Sequence, residues 1–204
     1  MILKINPERP EGRKIANAAD IMKEGGVIVY PTDGVYGLGC DIYKQDAVDR
    51  ICKLRGLDPS RAHLTFICKD ISQIAEFARQ FDNQTFKIMK RNLPGPYTFI
   101  LKANNSVPRL FKNRRKNIGV RIPDNQIVME LIEALGRPIL SASLKSEDEI
   151  VEYYTNPDTI YENLKHQVDA VIDGGVGDNQ PSTVIDLTGK EPLVIREGAG
   201  SLEL

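Results

Sequence analysis

The architecture of this chain turns on one stretch, Val27-Ile28-Val29-Tyr30-Pro31-Thr32-Asp33-Gly34-Val35-Tyr36-Gly37-Leu38-Gly39-Cys40-Asp41. Its opening run is apolar and β-branched, which predicts a buried strand. Pro31 ends that strand. Glycines 34, 37 and 39 then let the backbone turn or come close to a ligand with no Cβ in the way. The hydroxyls of Thr32 and Tyr36 flank this opening. A helical segment follows and ends at Lys53-Leu54-Arg55. Hydroxyls, backbone donors and two cations at one glycine-lined edge suit a polyanion such as a nucleoside triphosphate.

Upstream, Met1 to Ile5 is a short strand candidate. Ile15, Ala18, Ala19 and Met22 fall at i, i+3, i+4 and i+7, one face of a helix over 12–24 that Gly25-Gly26 closes. Downstream, helices are predicted over 45–54, 83–91, 125–135 and 158–167, with another from Asp70 or Ser72 through Ala78, and Asp124 capping the helix over 125–135. Strands are predicted at 64–68, 97–102, 118–122, 139–144, 168–172, 183–187 and 193–196. Alternating strands and helices give an α/β chain with a large, twisted, mixed sheet flanked by helices. The 204 residues show no repeat or low-complexity linker and read as one domain over 1–204.

Composition narrows the function classes. The chain is 41% hydrophobic and 27% charged with a formal net charge of −1, so bulk charge does not drive binding to nucleic acid or membrane. No apolar run approaches a membrane span and no signal peptide opens the chain, which leads us to expect a cytoplasmic protein. Three cysteines without C-x-x-C spacing and two histidines supply a metal site poorly, and the cysteines read as reduced, buried thiols. His63, in a polar loop, is weighed as a general base but reads as an ordinary loop residue. The glycines match neither a Walker loop nor a G-x-G-x-x-G fingerprint.

Several side chains carry two readings each. Lys53 and Arg55 do not face each other on a continuous helix. By spacing alone they are solvated cations at a helix C-terminus; if the helix ends near Leu54, they converge on an anion. Arg121, on an otherwise apolar strand, points either to solvent or into a site. Ser182 opens a strand after the glycine-rich loop 174–181. Arg109, Lys112, Arg114, Arg115 and Lys116 form a basic run, which is a solvated loop or a contact for RNA phosphates.

The ordered set of motifs resembles the YrdC-like family, the threonylcarbamoyl-adenylate synthases. Pro31-Thr32-Asp33 through Asp41 followed by Lys53-Leu54-Arg55 resembles P-T-[DE]-x-x-Y-G-L-G-x-D with K-x-R. Pro94-Gly95-Pro96-Tyr97-Thr98 resembles P-G-P-x-T, and Val120-Arg121-Ile122-Pro123 resembles V-R-x-P. Ser182 to Asp186 resembles S-T-V-V-D, and Ile195-Arg196-Glu197-Gly198 resembles L-R-x-G. Ser141-Ala142-Ser143 stands where synthases carry S-x-N, which is similar to the YciO branch. The resemblance implies the YrdC-like fold and an ATP-dependent nucleotidyltransferase that joins L-threonine, bicarbonate and ATP into threonylcarbamoyl-AMP for tRNA modification. It implies that Lys53 and Arg55 position phosphate and carbamate, that Ser141, Ser143 and Arg196 hold ATP with Mg²⁺, and that Thr32, Tyr36, Arg121 and Ser182 hold threonine. It also implies binding of double-stranded RNA or tRNA through the basic run. The alternative is an RNA- or ribosome-binding protein that keeps the nucleotide pocket with little synthase activity, and Ser143 is the residue that separates the two.

Overall fold

The structure is a computed structural model that describes residues 1–58, 64–108, 117–144 and 155–203. The basic run from Arg109 to Lys116, and His63, lie outside the described residues. Among these residues ten strands form one mixed sheet: β1 (Ile2–Lys4), β2 (Ile28–Tyr30), β3 (Gly37–Asp41), β4 (Thr65–Ile67), β5 (Tyr97–Lys102), β6 (Asn117–Arg121), β7 (Ile139–Ser143), β8 (Ala170–Asp173), β9 (Thr183–Asp186) and β10 (Leu193–Arg196). Their order across the sheet is β1-β8-β2-β3-β7-β4-β6-β5-β9-β10. Pairings β1–β8, β2–β8, β4–β6 and β5–β9 are parallel; the others are antiparallel.

Among the described residues six helices flank the sheet: α1 (Gly12–Lys23), α2 (Gln45–Leu54), α3 (Ile71–Phe77), α4 (Asn83–Asn92), α5 (Gln126–Leu135) and α6 (Pro157–Leu164). Side chains alternate along the strands, so the two faces of the sheet carry separate cores. One core joins α2, α3, α4 and α6 to Leu38, Cys40, Phe66, Phe99, Val120 and Leu140. The other joins α1 and α5 to Ile28, Tyr30, Ile67, Ile139 and Ile172. The face of α1 that its periodicity predicts is the buried one, through Ile15, Ala18, Ala19 and Met22. Cys40, Cys52 and Cys68 are buried and reduced. Among the described residues no helix is long and apolar enough to cross a membrane.

Two helix boundaries differ from expectation. Asn125, not Asp124, caps α5, its side chain accepting from the Val128 N–H. The Asp124 N–H is used elsewhere, donating to Asp33 Oδ2 at 3.0 Å. The last helix starts at Pro157, capped by Asn156, and ends at Leu164, short of Gln167.

Candidate functional site

The second core does not extend across the sheet. On the α1/α5 side of β7, β4, β6 and β5, the positions between core residues are Ser141, Ser143, Thr65, Gly119, Thr98 and Ile100. None of them joins either apolar cluster. Register sets them side by side: Gly39 with Ser141, Ser141 with Thr65, Thr65 with Gly119, Gly119 with Ile100. Thr65 and Gly119 are half-buried and Ser143 is exposed. This row, mostly small or hydroxyl-bearing side chains and partly open to solvent, is a candidate floor for a ligand.

The turn after β2 forms one wall. Tyr30 pairs with Gly37, which pairs with Ser143, at one end of this floor. Arg121 pairs with Ile67 near the other end. Segment 31–35 therefore crosses the sheet face, and it brings Thr32 and Asp33 to Arg121. The Arg121 side chain is only 9% exposed and that of Asp33 only 10%. Arg121 Nη2 forms an ion pair with Asp33 Oδ1 and lies 3.5 Å from Thr32 Oγ1. Arg121 thus points into the site, not to solvent. Its buried Nε–H has no acceptor among the described residues. A buried donor left unpaired costs on the order of 1–3 kcal/mol, so this one reads as a place kept for a ligand acceptor. Thr32 is held in turn: its hydroxyl donates to the Val35 carbonyl at 2.8 Å and accepts from the Gly34 N–H at 3.1 Å.

The loop after β8 forms a second wall. Tyr36 clasps it, its hydroxyl donating to the Gly175 carbonyl at 2.6 Å and accepting from the Gly174 N–H at 3.3 Å. Burial pushes the Tyr36 phenol up to about 12, against the lowering effect of the Gly174 hydrogen bond. The Asp178 N–H donates to the Gly34 carbonyl at 3.1 Å. The loop delivers Ser182, whose hydroxyl lies 2.9 Å from Thr98 Oγ1. Arg196 Nη2 donates to the Ser182 carbonyl at 2.7 Å and approaches its hydroxyl at 3.4 Å. At the opposite end, α2 stops at Leu54 as the cations require, with Arg55 in the cap position. Arg55 Nη1 reaches the Leu144 carbonyl at 3.4 Å, just past Ser143. Lys53 is exposed on the last turn. Ser141 is a buried part of the floor, its hydroxyl accepting from Tyr30 at 2.5 Å and donating to the Leu38 carbonyl at 3.0 Å.

The predicted residues therefore form three groups: Thr32 with Arg121, Ser182 with Arg196, and Arg55 beside the Ser143 end of β7. Asp33, Thr98, Thr65 and Gly119 belong to the same site and were not singled out by sequence. Asp33 and Thr98 stand inside quoted motifs, which is the signal that pointed to them. Glycines 37 and 39 have a different role from the one expected. A Cβ on Gly39 would lie 2.6 Å from the Tyr30 ring and 2.8 Å from Ile139, and one on Gly37 would lie 3.2 Å from Ser141 Oγ and 3.3 Å from Tyr30. They make room for the Tyr30 side chain across the sheet, not for a ligand. Gly34 lets the turn pack against the chain's own loop, since a Cβ there would sit 2.9 Å from the Gln180 carbonyl.

Among the described residues no three of His, Cys, Asp and Glu come together as a metal site. A separate crevice of about 610 Å³ opens between α3, α4 and α5, lined by Lys69, Phe86, Lys90, Ile122, Asp124 and Met129 among others; no predicted site residue lines it.

The profile of the Sua5_yciO_yrdC family, described as Telomere recombination, matches residues 20–198. YciO of Escherichia coli K12 is 46% identical over 98% of this chain and 96% of its own. The crystal structure of E. coli YciO superposes with a TM-score of 0.91, covering 98% of this chain and 97% of that one at 44% identity. Threonylcarbamoyl-AMP synthase of Pyrococcus abyssi is 33% identical over 96% of this chain, which spans 57% of that protein's length. P. abyssi Sua5 complexed with L-threonine matches at a TM-score of 0.87 and 31% identity, over 97% of this chain and 57% of that one. By motif order, fold and these similarities, the chain belongs to the Sua5/YciO/YrdC family.

Proposed function

We propose that this protein is an ATP-dependent nucleotidyltransferase of the L-threonylcarbamoyladenylate synthase kind, serving tRNA threonylcarbamoyladenosine modification. The observation that carries the reading is Arg121, a buried guanidinium with an unpaired Nε–H, set against a hydroxyl at the edge of a polar floor. A planar donor fork beside a hydroxyl suits an amino acid carboxylate. The relative complexed with L-threonine and the relative named threonylcarbamoyl-AMP synthase support the same reading.

In this scheme the amine of threonine takes up bicarbonate as a carbamate and releases water. A carbamate oxygen then bonds to the α-phosphorus of ATP, the bond from that phosphorus to the bridging oxygen breaks, and pyrophosphate leaves. The chain's contribution is positioning and charge neutralisation. Arg121, Thr32 and Ser182 hold threonine, with Tyr36 securing the wall beside them. Lys53 and Arg55 align carbamate and phosphate, and Ser143 and Arg196 hold ATP, while Ser141, its hydroxyl engaged by Tyr30 and Leu38, braces the floor beside Ser143 and does not touch the nucleotide directly. Mg²⁺ would rest on phosphate oxygens, where it adds charge neutralisation.

Ser143 has a shorter reach than the Asn of the synthase pattern, and a missing hydrogen bond is worth about 0.5–1.5 kcal/mol. The native protein should therefore form the acyl-adenylate slowly, and Ser143→Asn should raise the rate by roughly three- to tenfold on that scale. Incubation with ATP, bicarbonate and each amino acid in turn, with mass detection of the adenylate and Arg55→Ala as blank, tests this. If native protein and Ser143→Asn both match the blank while ATP still binds, the synthase reading fails.

A further inference from the structure

We propose that Asp33 is the positioning residue that sets the orientation of Arg121 and thereby the site's preference for a carboxylate-bearing ligand. The inference rests on the proposal that Arg121 receives the amino acid carboxylate, and it names the group that aims it. Asp33 has two donors and uses a different oxygen for each. Oδ1 takes Arg121 Nη2, and Oδ2 takes the Asp124 N–H at 3.0 Å, immediately before the α5 cap. One end of the guanidinium is thus fastened to the start of a helix that packs against α1. Thr32 Oγ1 stands beside the same Nη2 at 3.5 Å. The Nε–H is left buried with no acceptor among the described residues. An arginine fastened by one terminal nitrogen presents its remaining donors in one fixed plane, and a carboxylate is matched by that plane.

The acid itself is needed, not only its shape. Asn has one acceptor oxygen and a donor amide, so Asp33→Asn satisfies one of the two donors and opposes the other. Either the guanidinium swings or the link to α5 opens. Asp33→Glu keeps both acceptors but displaces the guanidinium by one methylene. A role in charge alone would tolerate this change in full; a role in position tolerates it only in part.

The test uses two probes, L-threonine and L-threoninamide, which differ only in the carboxylate. Binding of each is measured by calorimetry in the intact protein, with ATP as an independent ligand. We expect wild type to prefer threonine. Loss of charge-assisted contacts of about 1.5–3 kcal/mol corresponds to a ten- to hundredfold narrowing of that preference in Asp33→Asn, with Asp33→Glu intermediate and ATP affinity unchanged. Wild-type preference in both variants overturns the proposal. So does equal weakening of both probes, which would assign Asp33 to the fold alone. If Arg121→Ala keeps the preference, the carboxylate reading of Arg121 itself fails, which is a separate result from the failure of Asp33.

Discussion

Tyr30 and the two glycines opposite it show how single residues shape this site. The Tyr30 side chain is fully buried and lies over Gly37 and Gly39, where any larger residue would displace it. Its hydroxyl donates to Ser141, which ties the floor to the β2 strand. Burial pushes its phenol up to about 12, against the lowering effect of the Ser141 hydrogen bond. Below pH 10 the folded and the unfolded chain both keep this proton. Between 10 and about 12 the unfolded chain gives it up while the folded chain retains it, so stability falls as pH rises through that window. Two units correspond to about 3 kcal/mol. Urea unfolding at intervals from pH 9 to 12 should show wild type losing that much more than Tyr30→Phe; parallel curves would mean that Tyr30 does not titrate from a buried state. The glycines were legible as unusual but not for their cause. Their partner is three-dimensional, because it depends on which strand lies beside β3 and in which register. Asp33 was hidden for a similar reason: an acid in a turn is common, and nothing local marks a cation that arrives from residue 121.

At the scale of elements, the caps and stripes were the most legible features. Gly136 ends α5 with φ at 76°, a left-handed conformation that glycine adopts without Cβ strain. Asp70 caps α3 by accepting from the Gln73 N–H at 2.7 Å, which resolves the choice between Asp70 and Ser72. Asp124 misled because two capping residues stand side by side, and only the demand of Asp33 for an N–H decides between them. The glycine-rich loop after β8 has no periodicity to read. It is shaped by contacts with the turn after β2, chiefly the two hydrogen bonds of Tyr36 and the one from Asp178 to Gly34. Tyr36→Phe should loosen it. Losing the bond to Gly175 is worth about 1 kcal/mol, so amide exchange at Gly174 and Asp178 should quicken by roughly fivefold while α1 and α5 exchange as before. Threonine should bind more weakly in the same variant. Unchanged exchange in the loop would show that Tyr36 is not its clasp.

Across the whole molecule, the site exists because the two helical layers are unequal. α2, α3, α4 and α6 cover one face of the sheet, and the core built on α1 and α5 leaves β4, β5, β6 and β7 with hydroxyls and a glycine on the other. A ligand lying on that floor meets the turn after β2, the loop before β9 and the end of β10, segments far apart in the chain. Its binding must therefore stabilise the entire fold. A ligand at about a hundred times its dissociation constant adds about 2.7 kcal/mol to the folded state. For a chain of this size that raises the melting temperature by roughly 5–10 °C, at about 2–4 °C per kcal/mol. We expect ATP alone to give one increment, and threonine with bicarbonate to add a second. Arg121→Ala should keep the first and lose the second, because Arg121 ends β6 at the opposite end of the floor from Ser143. Lys53→Ala with Arg55→Ala should lose the first; Lys53 is exposed, and truncating Arg55 removes its bond to the Leu144 carbonyl, worth about 1 kcal/mol, so their own melting temperature should fall by about 2–4 °C. If ATP gives no increment while duplex RNA does, the nucleotide pocket is not the working site and the RNA-binding reading takes its place. If both increments vanish with Arg121→Ala alone, the two ends of the floor are one site, and the division of roles between Arg121 and the Lys53–Arg55 pair is wrong.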